Sequence, residues 1–262
     1  MITMFKTFSI FLFQDPVFLF KFIWRFLDTD YSLHVKFIED QELFRELEKG
    51  KSIIRLGDGD MGVIHGKSIF HQEANPNLAQ ALLEIIKDYK PESPYILFVP
   101  RFLNLPNSVL KQKGSLICWL PFKIEFFRSF SQDMKYGDAH FFYYLNNTQN
   151  FFERFILHHN ILFVTNSGVL KKIKENKTLD QSKLFFVEIP PERTFDQLDQ
   201  VYSKIDQVLQ AHRIDRIILS CGCSSRLVAD TYAKRGYQCI DTGLGLNSYL
   251  DNKDYSQEVK YH

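Results

Sequence analysis

Asp58 and Asp60 stand one residue apart, with Gly59 between them. Two carboxylates so spaced can converge on one hard divalent cation and leave its open positions to phosphate oxygens, because Gly59 lets the backbone bend. The same residues also suit an Asp-Gly turn between two strands. Farther along, Ser220-Cys-Gly-Cys-Ser-Ser225 places small residues at what reads as a helix N-terminus. Its backbone N–H groups and the hydroxyls of Ser224 and Ser225 could receive phosphate, or the serines could be plain caps. Asp241, ahead of Thr242 and Gly243, is placed to accept a proton at a strand end or to cap a turn. Cys221 and Cys223 read as small buried residues, since a C-x-C without two further ligands makes no zinc site. His65, His71 and His140 remain reserve candidates for acid–base work.

These residues need a frame that gathers them. The pattern predicts strands over 52–56, 95–99, 161–165, 184–189, 216–220 and 237–240. Helices are predicted over 41–49, 150–158, 169–175, 195–212 and 225–235. Asp40 is the cap candidate of the first of these and Gly50 its stop. A further helix opens at Asn75-Pro76 and carries Leu78, Leu82, Ile85 and Tyr89 on one face. The aromatic stretch 103–147 yields no assigned elements. Strands alternating with amphipathic helices imply a mostly parallel, Rossmann-like α/β sheet covered on both faces, because each parallel return needs a crossover helix. Ligands then belong beyond the carboxyl ends of the strands. The first predicted strand ends in Arg55 and Leu56 and runs into Gly57, Asp58, Gly59 and Asp60, the fifth ends in Ser220 and runs into Cys221 to Ser225, and Asp241 follows the sixth, so all fall on that edge.

Composition narrows the function classes. With 32 Lys plus Arg against 31 Asp plus Glu over 262 residues, the formal charge is +1, which argues against nucleic acid as the main partner. Four cysteines are too few for a disulfide scaffold and suit a reducing cytoplasm. Eight of the 26 Phe lie in the first 27 residues, which sets residues 1–34 apart as a Phe-rich amphipathic segment, with 28–34 resembling a linker. Asp15, Lys21 and Arg25 interrupt its apolar run, so it is not expected to span a bilayer, and no small-residue cleavage site marks it for export. Over 17–27 the polar residues line one narrow stripe opposite Phe18, Phe20, Phe22, Trp24 and Phe26. Such a helix could lie in a membrane interface or dock on the protein body or a second subunit.

Ser52-Ile-Ile-Arg-Leu-Gly-Asp-Gly-Asp60, then Gly66-Lys-Ser-Ile-Phe70, Gln72 and Leu78-Ala79, resembles the GT-D fold glycosyltransferases. The likeness continues through Glu188-Ile-Pro190, Thr194-Phe195 and Ala233-Lys-Arg-Gly-Tyr-Gln-Cys-Ile-Asp-Thr-Gly243, over roughly residues 38–250. It implies one GT-D-type domain over 35–262, a Mn²⁺ ion (or Mg²⁺) held by Asp58 and Asp60, and a nucleotide-sugar donor such as a UDP-hexose. Arg55, Gly57, Gly59, Ser224 and Ser225 would contact that donor. Departures are Asp60 where the family usually carries Glu, Leu244 where it tends to carry His, and Phe141-Phe142 where it tends to carry Ser-Arg.

The expected activity is transfer of a sugar to a glycan or glycoprotein acceptor during surface polysaccharide assembly on the cytoplasmic side, with Asp241 as proton acceptor. The alternatives are a catalytically silent partner that binds nucleotide or glycan, which Leu244 favours, and a metal-dependent phosphohydrolase. The last is disfavoured because no third and fourth acidic or His ligand gathers at the strand ends.

Overall fold

Why the strands fall where they do is visible in a computed structural model, which describes residues 28–70 and 72–256. The predicted stripe over 17–27 and His71 lie outside the described residues. The chain runs β1 (Lys36–Phe37), α1 (Asp40–Glu48), β2 (Ser52–Arg55), α2 (Asp58–Ile64), α3 (Pro76–Lys87), β3 (Tyr95–Val99), α4 (Asn107–Gln112), α5 (Leu116–Ser129) and β4 (Lys135–Asp138). It continues through α6 (Leu145–Phe155), β5 (Ile161–Asn166), α7 (Ser167–Glu175), β6 (Leu184–Ile189), α8 (Leu198–Ala211), β7 (Arg216–Ser220), α9 (Ser224–Lys234), β8 (Cys239–Asp241) and α10 (Leu246–Leu250).

The eight strands form one sheet in the order β1-β4-β3-β2-β8-β7-β5-β6, every pairing parallel. Successive strand residues point to opposite faces, and both faces are covered. Ile54, Leu97, Leu162 and Val164 pack into one apolar layer, while Ile53, Ile96, Phe98, Ile161 and Phe163 pack into the other. That double burial explains why β3 and the first four residues of β5 read as unbroken apolar runs. The predicted strands are all present, β8 shifted to Cys239–Asp241. Asn75 caps α3 as expected, accepting from the N–H groups of Asn77 and Leu78. The N-cap of α1 is Glu39, and Asp40 is its first helical residue.

The unassigned middle holds α4, α5 and β4. β4 is a four-residue Lys-Tyr-Gly-Asp strand with no hydrophobic alternation. A Cβ at Gly137 would lie 2.1 Å from the Phe98 ring, so only glycine lets β4 lie against β3. α5 carries Pro121 inside it and aromatic residues around it, which blurs a 3.6-residue period. Residues 28–34 are no free linker. Leu33 is buried, its N–H donates to the Leu103 carbonyl, and the Ser108 N–H donates to the Thr29 carbonyl.

Candidate active site

Sequence neighbours part ways at β2. The chain leaves it for β3 on one side, and the last strand, β8, returns to its other side. The cleft expected at such a switch point is present, about 260 Å³ in volume, at the carboxyl ends of β2, β5, β6, β7 and β8. Arg55, Asp58 and Asp60 enter it after β2, Gly222 and Cys223 after β7, and Gly243 and Leu244 after β8. Asn166 and Thr194 close it from β5 and β6.

The D-x-D forms neither a flexible bend nor a left-handed turn. It opens α2, with Gly57 as N-cap and Gly59 inside the first helical turn. Asp60 reaches back one turn, and its Oδ2 accepts the Gly57 N–H at 2.7 Å. This is half of a capping box, and a carboxylate there also suits the positive end of the helix. The two aspartates therefore differ. Asp58 is exposed at the cleft edge, whereas Asp60 is 1% exposed in its floor.

Asp60 shares that floor with Arg226, a residue with no part in the sequence reading. Arg226 Nη2 donates to Asp60 Oδ2 at 2.7 Å, and Nη1 donates to the Gly222 carbonyl at 2.6 Å and lies 3.2 Å from Asp241 Oδ2. Burial opposes the charge on Arg226, but Asp241 and Asp60 together hold its pKa above the usual arginine value. Asp241 is wholly buried and does not line the cleft. Its Oδ2 accepts the Arg55 N–H and its Oδ1 the Gly243 N–H. Burial raises its pKa, and Arg226 and Arg55 oppose that rise. The carboxylate expected to take the acceptor proton is thus buried and set back from the residues that line the cleft.

Other expected residues are placed as follows. Ser225 Oγ accepts the Cys221 N–H at 2.8 Å, which closes the turn after β7. Ser224 and Ser225 are both buried, and it is residues 220–223 that face the cleft. Arg55 points its guanidinium across Gly243, where a Cβ would lie 2.1 Å from Nη2. No carboxylate pairs with the Arg55 guanidinium among the described residues, so its charge is available to an anion. Leu244 lines the cleft at 62% exposure. His65 instead pairs with Glu125 in a separate cavity. His140 packs against Phe102, Trp119 and Tyr143, and burial, with help from Arg55, drives its pKa down to about 3. The thiols of Cys221 and Cys223 are buried, and burial pushes the former up to about 12.

One signal for Arg226 did exist in the sequence. It lies within a helix whose buried residues include Leu227, Val228 and Ala229, and a charge on a buried helix asks for a partner. The partners, 166 residues earlier for Asp60, carry no mark of the pairing.

Comparison with known proteins agrees with this architecture. Solved structures similar to the chain include a glycosyltransferase (DUF1792) from Streptococcus sanguinis, with TM-score 0.69 and 19% identity over 87% of each chain. A second, described as the highly conserved domain of unknown function 1792 with a distinct glycosyltransferase fold, has TM-score 0.67 and 18% identity, covering 83% of this chain and 80% of that one. At such identities the likeness is one of fold. A probable glycosyl transferase Gly of Streptococcus gordonii is 47% identical over 47 residues, 18% of this chain and only 7% of that protein's length. The family model for the glycosyltransferase GT-D fold matches residues 53–260, from the second residue of β2 past the last helix. Since that match takes in every strand end that builds the cleft, the chain belongs to the GT-D fold glycosyltransferases.

Proposed function

We propose that the cleft binds a nucleoside diphosphate sugar, a UDP-linked hexose, and that the chain transfers the hexose to a glycan or glycoprotein acceptor in surface polysaccharide assembly. The observation that carries this reading is the meeting of Asp58, Asp60 and Arg55 with the glycine turn after β7 in one cleft. A leaving diphosphate needs positive charge and aligned donors. Arg55 supplies a cation without a carboxylate partner, and α9 directs its N-terminus toward the same edge.

A divalent cation, Mn²⁺ or Mg²⁺, fits this set. Asp60 Oδ1 is buried without a hydrogen-bond partner among the described residues, and Asp58 offers an exposed carboxylate two positions before it. Among the described residues no three His, Cys, Asp or Glu side chains group to hold a metal, so the remaining positions would fall to phosphate oxygens and water. When bound, such a cation would neutralise charge on the departing diphosphate. Asp241 then serves beneath the cleft, holding Arg226 and the Arg55 and Gly243 backbone in place.

No helix among the described residues is long and apolar enough to cross a membrane. In this reading the protein works in the cytoplasm, and residues 17–27 bring it to the inner membrane face.

The test is incubation with UDP-hexoses and Mn²⁺ over a panel of glycan acceptors, with released UDP read by chromatography. Mn²⁺-dependent release in the wild type, lost in Asp58→Asn, is the expected result. Donor binding with no release on any acceptor would instead favour a silent binding partner, and release that ignores Mn²⁺ would overturn the cation assignment.

A further inference from the structure

Asp60 and Asp241 reach the carboxyl edge from different strands, and both turn toward Arg226. That guanidinium, with its side chain 5% exposed, meets Asp60, Asp241 and the Gly222 carbonyl together. Asp60 lies in the helix after β2, Asp241 ends β8 and Gly222 follows β7, so a single side chain ties three strand ends. A planar fork of fixed donors can do this, and a single ammonium cannot match it. The effect on Asp60 is specific. Its Oδ2 accepts from both Gly57 N–H and Arg226 Nη2, at 2.7 Å each, which sets the carboxylate plane. Among the described residues its Oδ1 has no hydrogen-bond partner, and the residue lines the cleft.

We propose that Arg226 is a positioning residue for the transfer reaction. It locks one oxygen of Asp60 into the protein so that the other is presented to the ligand, and it holds the 220–223 turn at a set distance from the D-x-D. The proposal rests on the cation-and-diphosphate reading of the cleft and names the residue that pre-organises it.

Arg226→Lys keeps the charge and loses the fork. Arg226→Gln combined with Asp241→Asn removes one positive and one negative charge, so the floor keeps its net charge without the tie. Each folded variant is measured in two ways. Hydrogen exchange of the metal-free protein is followed over 56–61 and 219–226, with β5 and β6 as internal reference. Binding of Mn²⁺, alone and with UDP, is followed by calorimetry. Both variants should exchange faster in the two cleft segments only, and bind Mn²⁺ about 10- to 100-fold more weakly, the usual cost of losing a group that orients a ligand. Faster exchange with unchanged Mn²⁺ affinity would show a merely structural tie and overturn the proposal. Weaker binding with unchanged exchange would show that affinity falls without any loosening of the two segments, and would overturn it too. If wild type binds UDP with no regard to Mn²⁺, the cation reading fails, while UDP affinity with the exchange data still decides the role of Arg226. Should Arg226→Lys not fold, the charge-balanced double variant decides alone.

Discussion

Arg226 and Lys123 are the two buried cations among the described residues, and they are satisfied in opposite ways. Lys123 Nζ donates to the Leu105 carbonyl at 2.6 Å, to Asn107 Oδ1 at 3.0 Å and to the Tyr31 carbonyl at 3.3 Å. Its three donors meet three neutral acceptors, and burial lowers its pKa to about 8. Nothing is left over, and the result is a clamp that pins residues 28–34 against the start of α4 and the middle of α5. Arg226 sits between two carboxylates, which keep it charged, and its network ends in a cleft with an Asp60 oxygen that has no partner among the described residues. A closed set of hydrogen bonds marks a structural joint. An open set that ends in a cleft is the arrangement that the proposed cation site would need.

The largest test of this contrast is Arg226→Met, which strands Asp60 and Asp241 as buried charges. It should cost about 3–5 kcal/mol in urea unfolding, as removal of one partner of a buried pair does. A loss below ~1 kcal/mol would mean that the pair is hydrated. For the same reason Asp60→Asn, which weakens the ion pair and the cap on Gly57, should destabilise the fold. Asp58→Asn should not, which makes it the cleaner probe of cation binding.

Lys123 makes the opposite kind of prediction. Its folded pKa of about 8 lies below the ordinary 10.5, so between those pH values the unfolded chain holds a proton that the folded chain has released. Stability must therefore rise with pH through that window, by roughly 2 kcal/mol between pH 8 and 10. Beyond about pH 10 the trend reverses, because burial raises the pKa of Tyr89 to about 12 and the unfolded tyrosine ionises first. Lys123→Met should flatten the rise between pH 8 and 10 in urea titrations. An unchanged slope would assign it to other groups.

Gly243→Ala probes the Arg55 side of the open network. Gly243 has φ +54, and the added Cβ would collide with the Arg55 guanidinium. A loss of about 1–3 kcal/mol is expected from backbone strain, with weaker UDP binding as Arg55 is displaced. Binding that survives the substitution would remove Arg55 from the diphosphate site. The smallest effect belongs to Leu244→Ala. An exposed side chain should change stability by less than about 0.5 kcal/mol, while any change in transfer kinetics would show that the cleft rim touches substrate.

What could be read in advance follows a physical line. β2, β3, β5, β6 and β7 were legible because each carries a short apolar run that the sheet buries, and Asn75-Pro76 was legible because a cap is a local device. β4 was not legible, since its pairing depends on Gly137 lying against Phe98, a contact 39 positions away that leaves no periodic trace. Ser224 and Ser225 were rightly placed at a helix start, but only the fold shows their side chains turned inward.

The sequence alone determined the α/β class, the strand ends that line the cleft and the acidic pair itself, because each depends on residue type within a few positions. The tertiary structure decided where those residues stand. Asp58 faces the cleft and Asp60 its floor, and Asp241 lies beneath both. That division comes from Arg226, whose partners lie 166 residues before it and 15 after it, because an ion pair is formed by distance in space and imposes no spacing on the chain.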